Sequence, residues 1–339
     1  VRARLQNPDG RLLTLVGPGG IGKTRLALET VAPLVPAYTH GVFFVSLAPL
    51  QSAQAIAPTI AQAIGFTFSD KGGEQEAQLL AYLRHKTMLL ILDNAEHLLH
   101  PRAPACGTES AAETIVNLLE AAPGVRIVVT SRVGLNVLGE TRFVVPALAY
   151  PQNSSGKSAP VREDLCQHLP AVQLFVQSAR RQRPSFALTA RNAQAVSDIC
   201  RAVQGLPLAL LLTASWVATL STAEIAALLA GVGAGSPGAA LDLLETDWPN
   251  VPPRQRSLRA VFEHSWRLLS AREQDVYKTL SVFRGGFAQA AASQVAEAAP
   301  RDLRALVNAS FLDRETSGRY TMQELLRQYT VGKLADDPA

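Results

Sequence analysis

The stretch from Leu12 to Glu29, LLTLVGPGGIGKTRLALE, constrains the fold of this chain more than any other. An apolar run ends at a cluster of glycines, and a lysine, a threonine and a helix-like segment follow. Gly17 to Thr24 fits the pattern G-x-x-x-x-G-K-[ST] at every fixed position. Glycines let backbone N–H groups approach and surround the oxygens of a triphosphate, which side chains would otherwise keep away. The stretch therefore predicts a phosphate-binding loop.

The residues of this loop supply different groups to a nucleotide. Lys23 would bring a positive charge to the β- and γ-phosphates, and Thr24 would bring a hydroxyl to Mg²⁺. The helix that begins near Gly22 adds the positive end of its dipole. We expect cofactor contacts from the whole loop, which comprises Gly17, Gly19, Gly20, Ile21, Gly22, Lys23, Thr24 and Arg25.

Two other predicted strands end in residues that suit the same chemistry. Asp93 ends the apolar run MLLILD, where a carboxylate is costly unless it faces water or a cation, so we predict a second Mg²⁺ ligand. An efficient ATPase often has Glu at the next position; here Asn94 stands there and Glu96 is the nearest acid, so we expect slow hydrolysis. Arg132 follows IVVTS at the same sheet edge and could reach the γ-phosphate. The alternatives are an ordinary turn aspartate and a solvated arginine.

Five continuously apolar runs alternate with helix-like segments in the first 148 residues. Such runs are typical of parallel strands that are covered on both faces, so we predict an α/β domain with a five-stranded parallel sheet. The runs are 12–17, 41–47, 87–93, 125–131 and 142–148. After residue 164 the strand signal gives way to helices, with one hairpin around Ser317-Gly318. The predicted domains are a nucleotide-binding domain at 1–150, an all-α helical domain at 165–248 and a winged-helix domain at 250–339.

The composition excludes several classes of protein. The 339 residues are 47% hydrophobic and 18% charged, which is typical of globular chains, and the net charge of +4 gives no reason to expect general binding to nucleic acid or to a membrane. The apolar segment 206–220 is shorter than the roughly 20 residues that a membrane span needs, so we predict a buried helix. Cys106, Cys166 and Cys200 are far apart, which favours a reducing, cytoplasmic location and makes a metal site built on cysteines unlikely.

Together these segments resemble the STAND class of signal-transducing ATPases, and within it the NB-ARC-like modules of bacterial AfsR- and LuxR-type regulators. The matching segments are LVGPGGIGKTRLALE, LLILDNAEHLL, IVVTSR, GLPLAL (205–210) and YTMQELLRQY (320–329), so the resemblance covers nearly the whole chain. It implies a winged helix that closes over the nucleotide and a Pro207 that packs near the adenine. Gln323 stands where the family has a histidine that touches the ADP β-phosphate; an amide can donate there but carries no charge.

The resemblance also implies a function and missing neighbours. We expect an ATP/ADP-binding switch in which ADP holds the domains closed, ATP permits opening and self-association, and weak ATPase activity resets the state. The family's Gly-Arg-Glu segment before the first strand is not found, so we expect a fragment that lacks an upstream effector and a downstream sensor.

The sequence is compatible with two alternative functions. The first is a DNA-binding regulator that acts through its winged helix, although only Arg301 and Arg304 supply cations near the candidate recognition helix, so direct DNA contact is not expected. The second is a motor ATPase, against which Asn94 and the fused GLPL and winged-helix segments argue.

Overall fold

A computed structural model describes most of the chain. The described residues are 1–7, 10–69, 73–99, 110–152, 166–230, 241, 244–246 and 256–335. The chain divides into two compact units. Unit 1 comprises Val1–Gly17 and Gly22–Val145, and unit 2 comprises Pro18–Ile21 and Pro146–Ala339.

Unit 1 is built on a five-stranded sheet in which every pairing is parallel, as the sequence predicted. The strands are β1 (Leu12–Val16), β2 (Val42–Ser46), β3 (Met88–Asp93), β4 (Val125–Ser131) and β5 (Glu140–Val144). Their order is β2-β3-β4-β1-β5, so β1, β3 and β4 are central. All residues of β1 and β3 are buried, which explains their uninterrupted apolar sequences.

The two edge strands depart from the expectation that all five are covered on both faces. Phe44 of β2 is 43% exposed and Val144 of β5 is 65% exposed, because each strand has a neighbour on one side only. The fifth strand also lies earlier than the predicted 142–148. Pro146 lacks an N–H and cannot continue the ladder, so the strand ends at Val144.

Helices complete unit 1 and build its core against the sheet. They are α1 (Arg2–Gln6), α2 (Lys23–Val31), α3 (Ile56–Ile64), α4 (Gln75–Leu83), α5 (Glu96–Leu99) and α6 (Ala111–Ala121). Buried aliphatic side chains of α3, α4 and α6 pack with those of the central strands, for example Ile60, Leu83, Leu118 and Leu90. The helix expected to begin near Gly22 ends at Val31, and a 3₁₀ segment, Ala32–Ala37, follows it directly.

Unit 2 is mostly helical within its described residues. Its helices are α7 (Pro170–Gln182), α8 (Ala193–Ala202), α9 (Pro207–Ser215), α10 (Thr222–Leu229), α11 (Leu258–Trp266), α12 (Ala271–Leu280), α13 (Gln289–Ala296), α14 (Pro300–Asn308) and α15 (Glu324–Ala335). Two short antiparallel strands, β6 (Leu312–Arg314) and β7 (Tyr320–Met322), form the predicted hairpin. The sequence patterns Ser221–Glu224 and Ser270–Glu273 predict capping boxes, and both are present, since each serine exchanges hydrogen bonds with the glutamate three residues later.

Other sequence expectations fall partly outside the described residues. Three segments rich in Gly, Pro, Ser or Ala are predicted to be loops. Segment 231–238 lies wholly outside the described residues, and 100–110 and 151–164 lie almost wholly outside them. The apolar segment 206–220 forms α9 and a 3₁₀ turn, and no helix in the described part of the chain is long and apolar enough to cross a membrane. Cys166 and Cys200 are buried free thiols, and Cys106 lies in an undescribed segment.

Candidate functional site

The glycine-rich loop joins the end of β1 to the start of α2. Gly22 caps α2 with a φ of 93°, a left-handed conformation that residues other than glycine rarely adopt. A Cβ built at Gly22 would meet no atom within 4 Å, so the backbone there is bordered by open space. Lys23 Nζ donates a hydrogen bond to the Gly17 carbonyl at 2.8 Å. The two ends of the loop in unit 1 are thereby held together around a lysine.

Asp93 lies beside the hydroxyl that the sequence assigned to Mg²⁺. Thr24 Oγ1 donates to Asp93 Oδ1 at 2.6 Å, and Thr130 Oγ1 donates to the same oxygen at 2.7 Å. Thr130 on β4 is the strand neighbour of Asp93 on β3, which accounts for the second contact. Sequence reasoning missed Thr130, although it lies in the quoted run IVVTSR.

This pair of oxygen groups fits a magnesium ion. Mg²⁺ prefers hard oxygen ligands and is commonly held by one or two protein groups together with substrate phosphates. The described residues contain no group of three or more His, Cys, Asp and Glu side chains that could hold a metal. A cation here would therefore share its ligands between Thr24, Asp93 and phosphate oxygens.

Glu96 and Arg132 form a buried ion pair that the sequence did not predict. Arg132 Nε donates to Glu96 Oε1 at 3.0 Å. Only 2% of Glu96 and 9% of Arg132 are exposed. Glu96 Oε2 is buried too, and among the described residues it has no hydrogen-bond partner. Arg132 is thus not a solvated arginine, and Glu96 keeps one oxygen available to a donor.

The turn after β3 brings Glu96 back to the end of β4. Asn94 adopts a φ of 67°, a left-handed conformation that Asn tolerates better than most residues, and its N–H donates to Thr130 Oγ1 at 3.0 Å. Ala95 N–H then donates to the Thr130 carbonyl at 3.0 Å. His97 lies 2.9 Å from the Leu50 carbonyl through Nε2 and 3.4 Å from the Asn94 amide through Nδ1.

The charges around Lys23 act on one another. Burial lowers the pKa of Lys23 to about 8, Glu96 and Asp93 oppose that shift, and Arg132 adds to it. Lys23 lies therefore within the electrostatic field of three of the predicted site residues. Two cations and two carboxylates balance in this part of unit 1.

Not every predicted contact residue joins this group. Arg25 is exposed and lies 3.9 Å from Glu29 in a helical ion pair of two solvated side chains. Pro207 and Gln323 belong to unit 2, as do Pro18–Ile21. Within that unit, the Leu208 N–H donates to the Gly20 carbonyl at 3.1 Å, directly after Pro207 begins α9. Gln323 Oε1 is buried and has no hydrogen-bond partner in the described part of the chain.

The fold and the site define the chain as a P-loop NTPase. The family model described as "AAA domain" matches residues 7–138, which include the glycine-rich loop, Asp93 and Arg132. The Walker-type ATPase PABY2304 of Pyrococcus abyssi has a similar fold, with a TM-score of 0.51 at 11% identity over 97% of this chain and 93% of that one.

Mycobacterial proteins are similar over almost the whole chain. The chain belongs to the same protein family as the uncharacterized protein Rv0894 of Mycobacterium tuberculosis, with which it shares 32% identity over 97% of its own length and 77% of the relative's. It is also 33% identical to Rv0890c of the same organism, a protein provisionally named as an HTH-type transcriptional regulator. The chain spans only 34% of the length of Rv0890c.

Proposed function

We propose that the chain is the nucleotide-dependent switch of a STAND-class regulator with an NB-ARC-like module, that it binds ATP and ADP, and that it hydrolyses ATP slowly. One observation carries the proposal. The Thr24 hydroxyl lies against the Asp93 carboxylate, next to a half-buried lysine that bridges the ends of a glycine-rich loop. This arrangement supplies a cation, a metal-binding pair and open backbone, which are the requirements of a triphosphate site.

Each group of the site has a role in binding. The Lys23 ammonium would contact the β- and γ-phosphates, and the backbone N–H groups of the loop would surround them. Thr24 and Asp93 would hold Mg²⁺, which when bound supplies positive charge that neutralises the phosphate oxygens. Arg132 at the end of β4 would contact the γ-phosphate and so distinguish ATP from ADP.

The domains proposed to move are those expected from the sequence: a nucleotide-binding domain (1–150), a helical domain with the GLPL motif (165–248) and a winged helix (250–339). The run of helices α7 to α10 supports the second, and α14 followed by the β6–β7 hairpin supports the third. Pro207 is proposed to pack near the adenine and Gln323 to reach the β-phosphate. Nucleotide would act only through its different affinity for the closed and open states.

Other parts of the proposal concern what the switch does in the cell. We propose self-association in the ATP state, a cytoplasmic location, and effector and sensor domains in the whole protein. Slow hydrolysis is supported by Asn94, because its amide cannot accept a proton from water as a carboxylate does.

The second candidate is a transcriptional regulator that binds DNA directly through the winged helix. The provisional name of Rv0890c favours it. Direct contact predicts DNA binding whose affinity falls steeply with salt concentration. The reason is that Lys and Arg side chains of the protein would release counterions from the DNA phosphates. A nucleotide-dependent switch predicts no DNA binding by this chain.

The nucleotide site is tested by substituting its lysine. Lys23→Ala removes the charge expected on the phosphates and should abolish stable binding of ADP and ATP in calorimetric titrations. Lys86→Ala is the matched control. Lys86 precedes β3 and therefore lies at the amino ends of the parallel strands, whereas the glycine-rich loop lies at their carboxyl ends. Affinities of the wild-type size for both nucleotides in Lys23→Ala would refute the site. Analysis of the nucleotide released when the purified protein is denatured would identify the resting ligand.

A further inference from the structure

The segment Asp93–His97 contains a buried carboxylate, Glu96, in addition to the proposed metal ligand Asp93. Asp93 accepts from two threonine hydroxyls, Asn94 takes a left-handed turn, and Glu96 returns to Arg132. An acidic residue directly after the strand would ordinarily be the candidate to orient water. Here that position is occupied by an amide, and the buried carboxylate of the turn stands two residues later.

Asn94 is occupied by a structural task. The Leu50 carbonyl can only accept a hydrogen bond, so the His97 Nε2 beside it carries the proton and Nδ1 is left to accept from the Asn94 amide. With its N–H on Thr130 as well, Asn94 fixes the turn. The turn positions Glu96, and both N–H groups of Asn94 that the contacts record hold the turn together.

The two carboxylate oxygens of Glu96 differ in their contacts, and one of them could accept a proton. One carboxylate oxygen is bound to Arg132, while the other is buried and has no donor among the described residues. An unsatisfied buried acceptor is destabilising, and such groups call for an explanation in strain, function or an unseen water. A water molecule that donates to Oε2 would remove this cost.

The ion pair links that carboxylate to the nucleotide. Arg132 is the residue proposed to contact the γ-phosphate, which carries more negative charge than one carboxylate. A triphosphate would therefore compete with Glu96 for the same guanidinium. ADP lacks the γ-phosphate and would leave the pair intact.

We infer that Glu96 is the proton acceptor for the attacking water and that its ion pair with Arg132 restrains it until a γ-phosphate takes Arg132 away. This inference rests on the proposed nucleotide switch. In the step, the water oxygen forms a bond to the γ-phosphorus and the bond from that phosphorus to the bridging oxygen breaks, with its electron pair left on ADP. The water proton passes to Glu96 and then to solvent, so the products are ADP, phosphate and a proton.

The test compares equilibrium binding with single-turnover hydrolysis in the full chain. Glu96→Gln should lower the hydrolysis rate of bound ATP by about 100-fold or more. It should also tighten binding of the β,γ-imido analogue of ATP by about three- to tenfold. In this variant the γ-phosphate no longer has to draw Arg132 away from a negatively charged partner. Binding of ADP should stay within about twofold, since without a γ-phosphate no exchange occurs.

Glu140→Gln is the matched control. Glu140 is also a buried carboxylate of unit 1 paired with an arginine, at 2.7 Å from Arg142 Nε. It should leave the ratio of analogue to ADP affinity unchanged. The variant Glu96→Gln/Arg132→Gln removes both charges together and guards against misfolding caused by an uncompensated buried arginine. It should lose hydrolysis and also lose the preference for the triphosphate.

The outcomes distinguish a failure of the role inferred for Glu96 from a failure of the proposed nucleotide switch. Hydrolysis of bound ATP at the wild-type rate in Glu96→Gln or in the double variant would overturn the inference, as would an equal loss of both nucleotides in Glu96→Gln. Undetectable hydrolysis by wild-type protein that binds ATP would also overturn it while leaving the switch standing. If wild-type protein binds no adenine nucleotide, the proposed function fails and the inference fails with it.

Discussion

At the residue scale, Gly205 shows a constraint that its motif alone does not reveal. From the residues of GLPL the sequence indicates only the start of a helix. In unit 2, Gly205 has a φ of 67°, its N–H donates to the Cys200 carbonyl at 3.1 Å, and its own carbonyl accepts from Leu148 at 3.1 Å. A Cβ at this position would lie 2.1 Å from the Leu148 carbonyl oxygen. Glycine is required here by both the backbone angle and the space.

Gly205→Ala should therefore destabilise unit 2. The left-handed angle costs an alanine about 1–2 kcal/mol and the clash adds a similar amount, so we expect about 3 kcal/mol in total. Thermal unfolding followed by circular dichroism would measure a melting temperature lower by about 5–10 °C. Gly332→Ala in α15 is the control, because a Cβ there meets no atom within 4 Å and alanine favours the helix. An unchanged melting temperature in Gly205→Ala would contradict this account.

At the scale of elements, a polar cluster joins α11 to the last helix of unit 2. Glu263 on α11 accepts hydrogen bonds from two residues of α15, Tyr329 and Lys333, the latter at 2.8 Å. It also accepts from Arg267, which directly follows α11, at 3.0 Å. Beside them, the rings of Phe262 and Tyr329 pack edge to face with centroids 5.8 Å apart. An apolar contact and a charged one thus fix the same pair of helices.

This cluster predicts a pH dependence. Partial burial of Glu263 opposes ionisation, but the hydrogen bonds from Lys333, Tyr329 and Arg267 outweigh it and lower the pKa from 4.5 to about 2. A carboxyl whose pKa is lower in the folded state stabilises that state above its unfolded pKa, and the stabilisation is lost as the pH falls toward the folded value. The melting temperature of wild-type protein should therefore exceed that of Glu263→Gln above pH 4.5, and the difference should shrink toward pH 2. The exposed Glu297→Gln should show no such pH-dependent difference, and a constant difference in Glu263→Gln would refute the linkage.

At the scale of the whole molecule, the proposed switch requires unit 2 to sense the nucleotide. Gln323 is the residue proposed to do so. Its Oε1 is buried without a hydrogen-bond partner among the described residues, so removing the side chain breaks no contact that the structure records at that atom. A change in nucleotide affinity at an unchanged melting temperature would then report on the nucleotide and not on stability.

Gln323→Ala should weaken ADP binding by about tenfold, the value of one hydrogen bond to a charged group. ATP binding in an open state should change little, and the population should shift toward the open form with a larger hydrodynamic radius or more oligomer. Calorimetry and light scattering measure both effects. Gln328→Ala is the control, because Gln328 lies in α15, the helix that begins directly after Gln323, and its amide donates to Glu324 at 3.1 Å. Unchanged ADP affinity and size in Gln323→Ala would mean that unit 2 does not read the nucleotide through this residue.

The parts of the structure that could be predicted are those encoded by short segments. The glycine-rich loop, the five parallel strands, the capping boxes and the β6–β7 hairpin follow from local patterns of backbone freedom, burial and hydrogen bonding. The same reasoning placed Thr24 and Asp93 in one site, because the carboxyl ends of parallel strands meet at one edge of a sheet. These features are local or depend on a general rule of sheet geometry.

Long-range pairing was decided only by the tertiary structure. The order β2-β3-β4-β1-β5 puts Thr130 beside Asp93 and makes β2 and β5 the exposed edges, and no single strand records its neighbours. The left-handed turn at Asn94 returns Glu96 to Arg132, 36 residues along the chain. Residue types and their spacing indicated which side chains could bind a nucleotide. The folded chain decided which of them hold one another, because a buried charge or hydrogen bond must find its partner in space and not along the sequence.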